Sequence, residues 1–319
     1  MDQQIGSMER IPFTVIGGYL GAGKTTLLNH ILRHNDGRRF ALFVNDFGSI
    51  NIDAELIENR DGETINLADG CVCCSLAGGF ILGIDTLFRR DPLPDHIIVE
   101  ASGVADTRQV AQYGNMPGLY LDGVIIVADA EMVRQKAQDK YVGQTVMRQL
   151  KSADILILNK SDLVSDQQRK DVQNWLNQIA PQSRIYETQM GVVPLELLLG
   201  LETKGVRSSS SEIAIQTDTE FVSESYASDV PIQRQGLENF LAELPEGIVR
   251  AKGILYLADQ PERRMIFQQV GKRWSLTPDR PWGDEQPQSQ IVWIGLKGEF
   301  EPEDLKTTLE KFLQGNNPV

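Results

Sequence analysis

Short runs of consecutive apolar residues recur along the first part of the chain: Phe13–Ile16, Phe40–Val44, Ile97–Val99, Val124–Val127, Ile155–Leu158 and, more weakly, Arg184–Glu187. Between them, apolar positions three and four residues apart predict helices over Thr25–Arg33, Leu76–Arg89, Gln144–Leu150 and Asp166–Gln178. Strands that are apolar throughout, rather than at alternate positions, are buried on both faces. Their alternation with helices predicts a doubly wound, mostly parallel α/β sheet over residues 11–200. The pattern then lapses. Residues 201–218, with the serine run Ser208–Ser211, read as a linker. Beyond it, strands are expected at Glu220–Tyr226, Gly253–Leu257, Arg264–Val270, Arg273–Leu276 and Ile291–Leu296, with helices at Gly236–Leu244 and Pro302–Leu313. Several of these strands alternate, so residues 219–319 form a smaller α+β domain with helices on one face. Trp175, Trp274 and Trp293 are read as core or interface residues.

Length changes this picture little, since 319 residues suit two domains. Charge narrows the partners: a net charge of −13 argues against non-specific binding to nucleic acid or to an anionic membrane surface. Residues 1–10 are polar, are expected to be flexible, and lack the apolar centre of a signal peptide; no run is long enough to span a bilayer. A cytoplasmic location is therefore expected. The three cysteines all fall within residues 71–74, which excludes a disulfide scaffold and favours metal or redox chemistry.

The chemistry begins at Gly18-x-x-x-x-Gly23-Lys24-Thr25, between an apolar strand and an amphipathic helix. Glycines at 18, 21 and 23, with small Ala22, let backbone N–H groups curl around a β-phosphate, and the helix N-terminus adds partial positive charge. Lys24 reaches the β/γ oxygens, Thr25 is placed to ligate Mg²⁺, and Thr26 follows in the same turn. Asn159-Lys160-Ser161-Asp162 closes a later strand. An aspartate there accepts hydrogen bonds from guanine N1–H and its exocyclic amine, with the Lys160 stem along the base; the alternative is an Asx turn capping the next helix. Glu100 ends the strand Ile97–Val99 and can hold the Mg²⁺ water shell, while Gly103 offers a backbone N–H towards the γ-phosphate.

Cys71, Cys73 and Cys74 lie in a loop after Thr64–Leu67 and before the helix near Leu76. Thiolates close to a helix N-terminus have a lowered pKa and capture soft metals; three of them select zinc or another thiophilic ion. A fourth place left to a carboxylate, histidine or water suits metal transfer better than a closed structural site. Buried, inert cysteines are the alternative. Asp46, in Asn45–Gly48 at the end of the second strand, can order Mg²⁺, orient the attacking water or donate an oxygen to the cysteine-bound metal; sequence does not separate these. His30 and His34 stand four apart on the first helix, where they decorate a helix end more readily than they chelate.

Together, Gly17–Thr26, Asn45–Gly48, Gly70–Cys74, Glu100–Gly103 and Asn159–Asp162 resemble the CobW-type GTPases, metal-handling proteins related to the nickel-insertion GTPases of hydrogenase and urease. The stretch from Arg250 to Trp274 is similar to that family's C-terminal domain, so the resemblance spans nearly the whole chain. It implies Mg²⁺-dependent GTP hydrolysis, with GDP as product, coupled to delivery of zinc, or sometimes cobalt, to a metalloprotein client. The family usually has glutamate where this chain has Asp46, and often a second acid where it has Ser49. The histidine-rich tract of some members is absent. Two other readings stay open: a GTP-binding zinc or redox sensor with negligible turnover, and an ATP-dependent small-molecule kinase. The client, the assembly into a homo-oligomer and the residue that orients water are left open. The C-terminal domain shows no chemistry of its own and is read, by elimination, as the client-binding module.

Overall fold

In the computed structural model, the residues described are 10–35, 37–44, 63–66, 76–199, 221–245, 247–300, 305 and 307–309. They fall into two compact units that divide after Leu199.

The first unit is a seven-stranded sheet in which every pairing is parallel. Its strands are β1 (Ile11–Gly17), β2 (Phe40–Val44), β3 (Glu63–Asn66), β4 (His96–Glu100), β5 (Leu119–Asp129), β6 (Ile155–Asn159) and β7 (Arg184–Glu187), in the spatial order β3-β2-β4-β1-β5-β6-β7. All residues of β2, β4 and β6 are buried, as their unbroken apolarity requires of strands covered on both faces. The helices are α1 (Lys24–Arg33), α2 (Leu76–Phe88), α3 (Thr107–Gln112), α4 (Val133–Gln138), α5 (Gly143–Leu150), α6 (Asp166–Ile179) and α7 (Leu195–Leu199). Phe80 of α2 anchors one face of the sheet. Its ring lies 5.9 Å from Phe13, 5.0 Å from Phe43 and 4.6 Å from Tyr113, centre to centre. Full burial of such a ring contributes about 1.5–3 kcal/mol. From the N-terminal turn onward α1 buries Leu27, Leu28, Ile31 and Leu32.

Where the strand order reverses, β1 lies between β4 and β5, and such switch points open a crevice at the carboxyl edge. Ile16 is in register with Glu100, Gly17 with Ile126, and Asp129 with Asn159. One edge therefore collects the ends of β1, β4, β5 and β6. A buried polar knot ties three of these strands lower down. The Thr14 hydroxyl is 2.8 Å from His96 Nε2 and donates to Asp122 Oδ2 at 3.3 Å. With all three side chains buried, these bonds meet a need that water cannot.

The second unit is an antiparallel sheet of β8 (Phe221–Ser228), β9 (Ile248–Leu257), β10 (Gln260–Val270), β11 (Arg273–Pro281) and β12 (Ser289–Leu296), in the order β11-β10-β9-β12-β8, with α8 at Arg234–Ala242. Along β9, Ala251, Gly253, Leu255 and Leu257 are buried while Lys252, Ile254 and Tyr256 are half-buried, the period of a strand with one face on a core. Trp293 is the centre of that core, 5.4 Å from Phe240 of α8 and 5.7 Å from Phe267.

Several elements depart from the sequence expectation. The sheet has a seventh strand, β3, which carries a single large apolar residue, Ile65. Helices α3, α4 and α7 are five or six residues long, too short to display a helical period. Strand β11 runs on through Pro278 to Pro281, which its edge position allows because an edge strand can spare N–H donors. Of the tryptophans, Trp293 is in the core and Trp175 is half-buried, but Trp274 is exposed at 37 %; the buried fourth, Trp282, was not anticipated. The linker 201–218 and most of Pro302–Leu313 lie outside the described residues. No helix among the described residues is long and apolar enough to cross a membrane.

Candidate functional site

The loop after β1 is shaped by what its neighbours leave room for. Gly18 has φ 136° and Gly23 φ 106°, conformations that L side chains rarely adopt. A Cβ on Gly18 would run into the Val127 carbonyl of β5, and one on Gly23 into the side-chain amide of Asn159. The loop is thus wedged between β5 and β6. It delivers the chain into α1 with Gly23 as the N-cap, no capping side chain and no acid in the first turn. The partial positive charge at the start of this ten-residue helix, with no acid in its first turn, favours an anion there. Lys24 is buried, Thr25 half-buried and Thr26 exposed.

Asn159 ties this loop to the far side of the site. Its Nδ2 donates to the Ala22 carbonyl at 2.9 Å, and its Oδ1 accepts from Gly191 N at 3.0 Å, in the loop after β7. Ser161 N and Oγ both donate to the Thr188 carbonyl, at 3.2 and 3.0 Å. Lys160 adopts the left-handed conformation, φ 61°, and its Nζ donates to Asp129 Oδ2 at 2.7 Å. Asp162 is exposed. The following helix, α6, is capped by Ser165, whose Oγ accepts from Gln168 N while Gln168 Oε1 accepts from Ser165 N. Capping is therefore not the task of Asp162, and its carboxylate stays open to a ligand.

Glu100 is buried at the end of β4, in register with both Ile16 and Val44. The segment after it is pinned by Gln149 of α5, whose Nε2 donates to the carbonyls of Gly103 and Ala105 at 3.2 and 3.1 Å. Gly103 lies against Leu20 of the phosphate loop. A cavity of about 150 Å³ opens beside that loop, lined among others by Tyr19, Gly21, Ala22, Val127, Asp129 and Lys160. The structure thus brings together Gly18–Thr26, Glu100, Gly103, Asn159 and Lys160, and Asp162 follows two residues after Lys160 in the turn Ser161–Leu163.

Two further features escaped the sequence reading. One is Asp129, which ends an apolar strand as Glu100 does. The other is the loop Thr188–Gly191, which the side chains of Asn159 and Ser161 hold in place. Asp46, Ser49, Cys71, Cys73 and Cys74 lie outside the described residues. Val44 and Asn66, the last described residues before the segments that carry them, are in register with each other, and Val44 is in register with Glu100. Among the described residues no group of three His, Cys, Asp or Glu side chains is placed to hold a metal. His30 and His34, with rings 4.4 Å apart, are engaged with backbone: His30 Nε2 donates to Val193 O at 3.0 Å and His34 Nδ1 to His30 O at 2.9 Å. Burial, then the charges of His34 and Arg33, hold His30 below the ordinary imidazole value, against the opposing bond to Val193.

Comparison with known families settles the affiliation. Residues 12–187 match the CobW/HypB/UreG nucleotide-binding domain, and residues 221–313 the cobalamin synthesis protein CobW C-terminal domain. The chain belongs to the CobW/HypB/UreG family. The nucleotide-binding match contains the phosphate loop, Glu100, Asp129 and Asn159–Asp162. Among relatives, the zinc chaperone YjiA of Escherichia coli K12 is 30% identical, over 91% of this chain and 95% of its own length. The zinc-regulated GTPase metalloprotein activator 1 of Dictyostelium discoideum is 25% identical, over 86% of this chain and 68% of its own. The structure of Zn(II)-bound YjiA GTPase from Escherichia coli aligns over 94% of this chain and 98% of that one, with 27% identity and a TM-score of 0.47.

Proposed function

We propose that this protein is a GTP-hydrolysing metallochaperone that carries zinc, or cobalt in its place, on Cys71, Cys73 and Cys74 and hands it to a metalloprotein client. The observation that carries the nucleotide half is the pairing of an uncapped α1 N-terminus with an exposed Asp162, joined through Asn159. Phosphates go to the backbone N–H groups of Gly21–Thr26 and to Lys24, whose charge meets the β/γ oxygens. The base goes to Asp162, which accepts from guanine N1–H and its amine and finds no such pair of donors on adenine. Relatives named as zinc chaperones and as a zinc-regulated GTPase support the cargo and the reaction.

Mg²⁺ fits the residues present: Glu100 is a buried carboxylate and Thr25 a half-buried hydroxyl, the hard oxygen donors that this ion prefers, both beside the phosphate loop. When bound, the ion neutralises charge on the β- and γ-oxygens. The chain's own part is positioning. The Gln149 amide fixes the segment that presents Gly103, and Asn159 fixes Ala22. The segments carrying Asp46 and the cysteines follow Val44, which is in register with Glu100, and Asn66, which is in register with Val44; this supports a link between nucleotide state and the metal loop.

The deciding experiment on the base is Asp162→Asn. It weakens GTP binding and improves binding of xanthosine triphosphate, whose 2-oxo group accepts where guanine donates. Equal competition by ATP and GTP in the unmodified protein contradicts the proposal.

A further inference from the structure

We infer that Asp129 is a positioning residue for the nucleotide base, acting by holding the Lys160 ammonium so that the lysine stem is fixed where the purine lies. The inference rests on the guanine reading above and deepens it, since the partner that orders Lys160 comes from outside Asn159–Asp162, on another strand.

Asp129 is the last residue of β5 and stands in register with Asn159, the residue before Lys160. Its carboxylate is itself oriented: Oδ1 accepts from Glu131 N at 2.9 Å and from Met132 N at 3.2 Å, in the turn that leads into α4. That leaves Oδ2 for Lys160 Nζ at 2.7 Å, with the two side chains 13 % and 34 % exposed. At its other end, the lysine stem leaves a backbone locked in the left-handed region, φ 61° and ψ 34°. A lysine stem is flexible and loses rotamer freedom when a ligand packs on it. Here both ends are anchored by the protein's own groups, so that ordering cost is met by the fold and affinity gains by preorganisation. The pair also lines the cavity beside Gly21 and Ala22, next to the phosphate loop.

Asp129→Asn separates the two duties of the carboxylate. The amide oxygen still accepts from Glu131 N and Met132 N, and the charge facing Lys160 is gone. Binding of a fluorescent GDP analogue and steady-state GTP hydrolysis are the readouts, with thermal unfolding as the control for folding. GDP and GTP weaken by about 3- to 30-fold, the range for one partly exposed charge-assisted hydrogen bond. KM for GTP rises, while kcat at saturation is retained because the base is remote from the γ-phosphate. Lys160→Met, which keeps the stem and loses the ammonium, weakens binding by a similar factor. The double variant is no weaker than Lys160→Met alone, because the two groups act as one.

An Asp129→Asn protein that binds GDP as the unmodified protein does, or losses that multiply in the double variant, overturns the inference. If Asp129→Asn fails to fold, Lys160→Met carries the test, and parental affinity in that variant overturns it equally. Equal competition by ATP in the unmodified protein sinks the guanine reading instead, whereas a guanine-selective parent with an indifferent Asp129→Asn sinks this inference alone.

Discussion

His30 shows how a single side chain records its surroundings. Its Nε2–H is given to Val193 O, and burial with the charges of His34 and Arg33 depresses its pKa below 6.5. The unfolded chain takes up this proton near the ordinary value, and the folded protein only at lower pH. Between the two, the unfolded state binds more protons, so the native state loses stability as pH falls below 6.5. His30→Gln, whose amide N–H can still donate to Val193 O, should flatten that part of the stability curve in urea unfolding followed from about pH 7.5 to about pH 5.5. An unchanged slope means that other groups set it. Legibility at this scale follows sequence distance. The Asn159–Asp162 motif is contiguous and was readable, whereas Lys160 meets Asp129 across 31 residues, and Thr14 meets His96 across 82. Those pairings exist only once β1, β4, β5 and β6 take their places, so no local pattern announces them.

Among the elements, α6 and the turn before it separate the residues that cap the helix from an acid that does not cap it. Ser165 and Gln168 form a reciprocal cap at the N-terminus of α6, while Asp162 lies in the preceding single turn, Ser161–Leu163. Ser165→Ala should cost about 1 kcal/mol, read as a lower urea midpoint, and leave guanine binding intact. Asp162→Ala should do the reverse, and a comparable loss of stability in that variant would return Asp162 to the role of a cap. The strands buried on both faces were legible because unbroken apolarity is itself their signal. Strand β3, reading Glu-Thr-Ile-Asn, gives none, since it is short, mostly polar and, among the described residues, paired only with β2. Strand β11 runs past the expected Leu276 through Pro278 to Pro281, an extension that its edge position permits and that no local pattern announces.

At the scale of the molecule, the parallel sheet gathers its chemistry on one edge, and the second unit contributes a separate antiparallel core around Trp293. The division into two kinds of sheet was readable, because unbroken and alternating apolarity differ along the chain. The cysteine loop and Asp46 belong to segments that follow Val44 and Asn66, strand ends in mutual register at the nucleotide edge. Ordering of these segments by GTP and Mg²⁺ would add or remove an oxygen ligand at the metal, with Asp46 as the candidate. Coupling of this kind typically amounts to about 1–3 kcal/mol, and it is reciprocal for binding, so zinc must shift GTP affinity by the factor by which GTP shifts zinc affinity. The direct test is titration of the full chain with zinc in the presence of GDP and of a non-hydrolysable GTP analogue, with a Cys71, Cys73 and Cys74 triple-serine variant to locate the site. The account predicts zinc dissociation constants that differ by roughly 5- to 150-fold between the two nucleotides, with tight binding lost in the triple variant. Equal constants in both nucleotide states would contradict it.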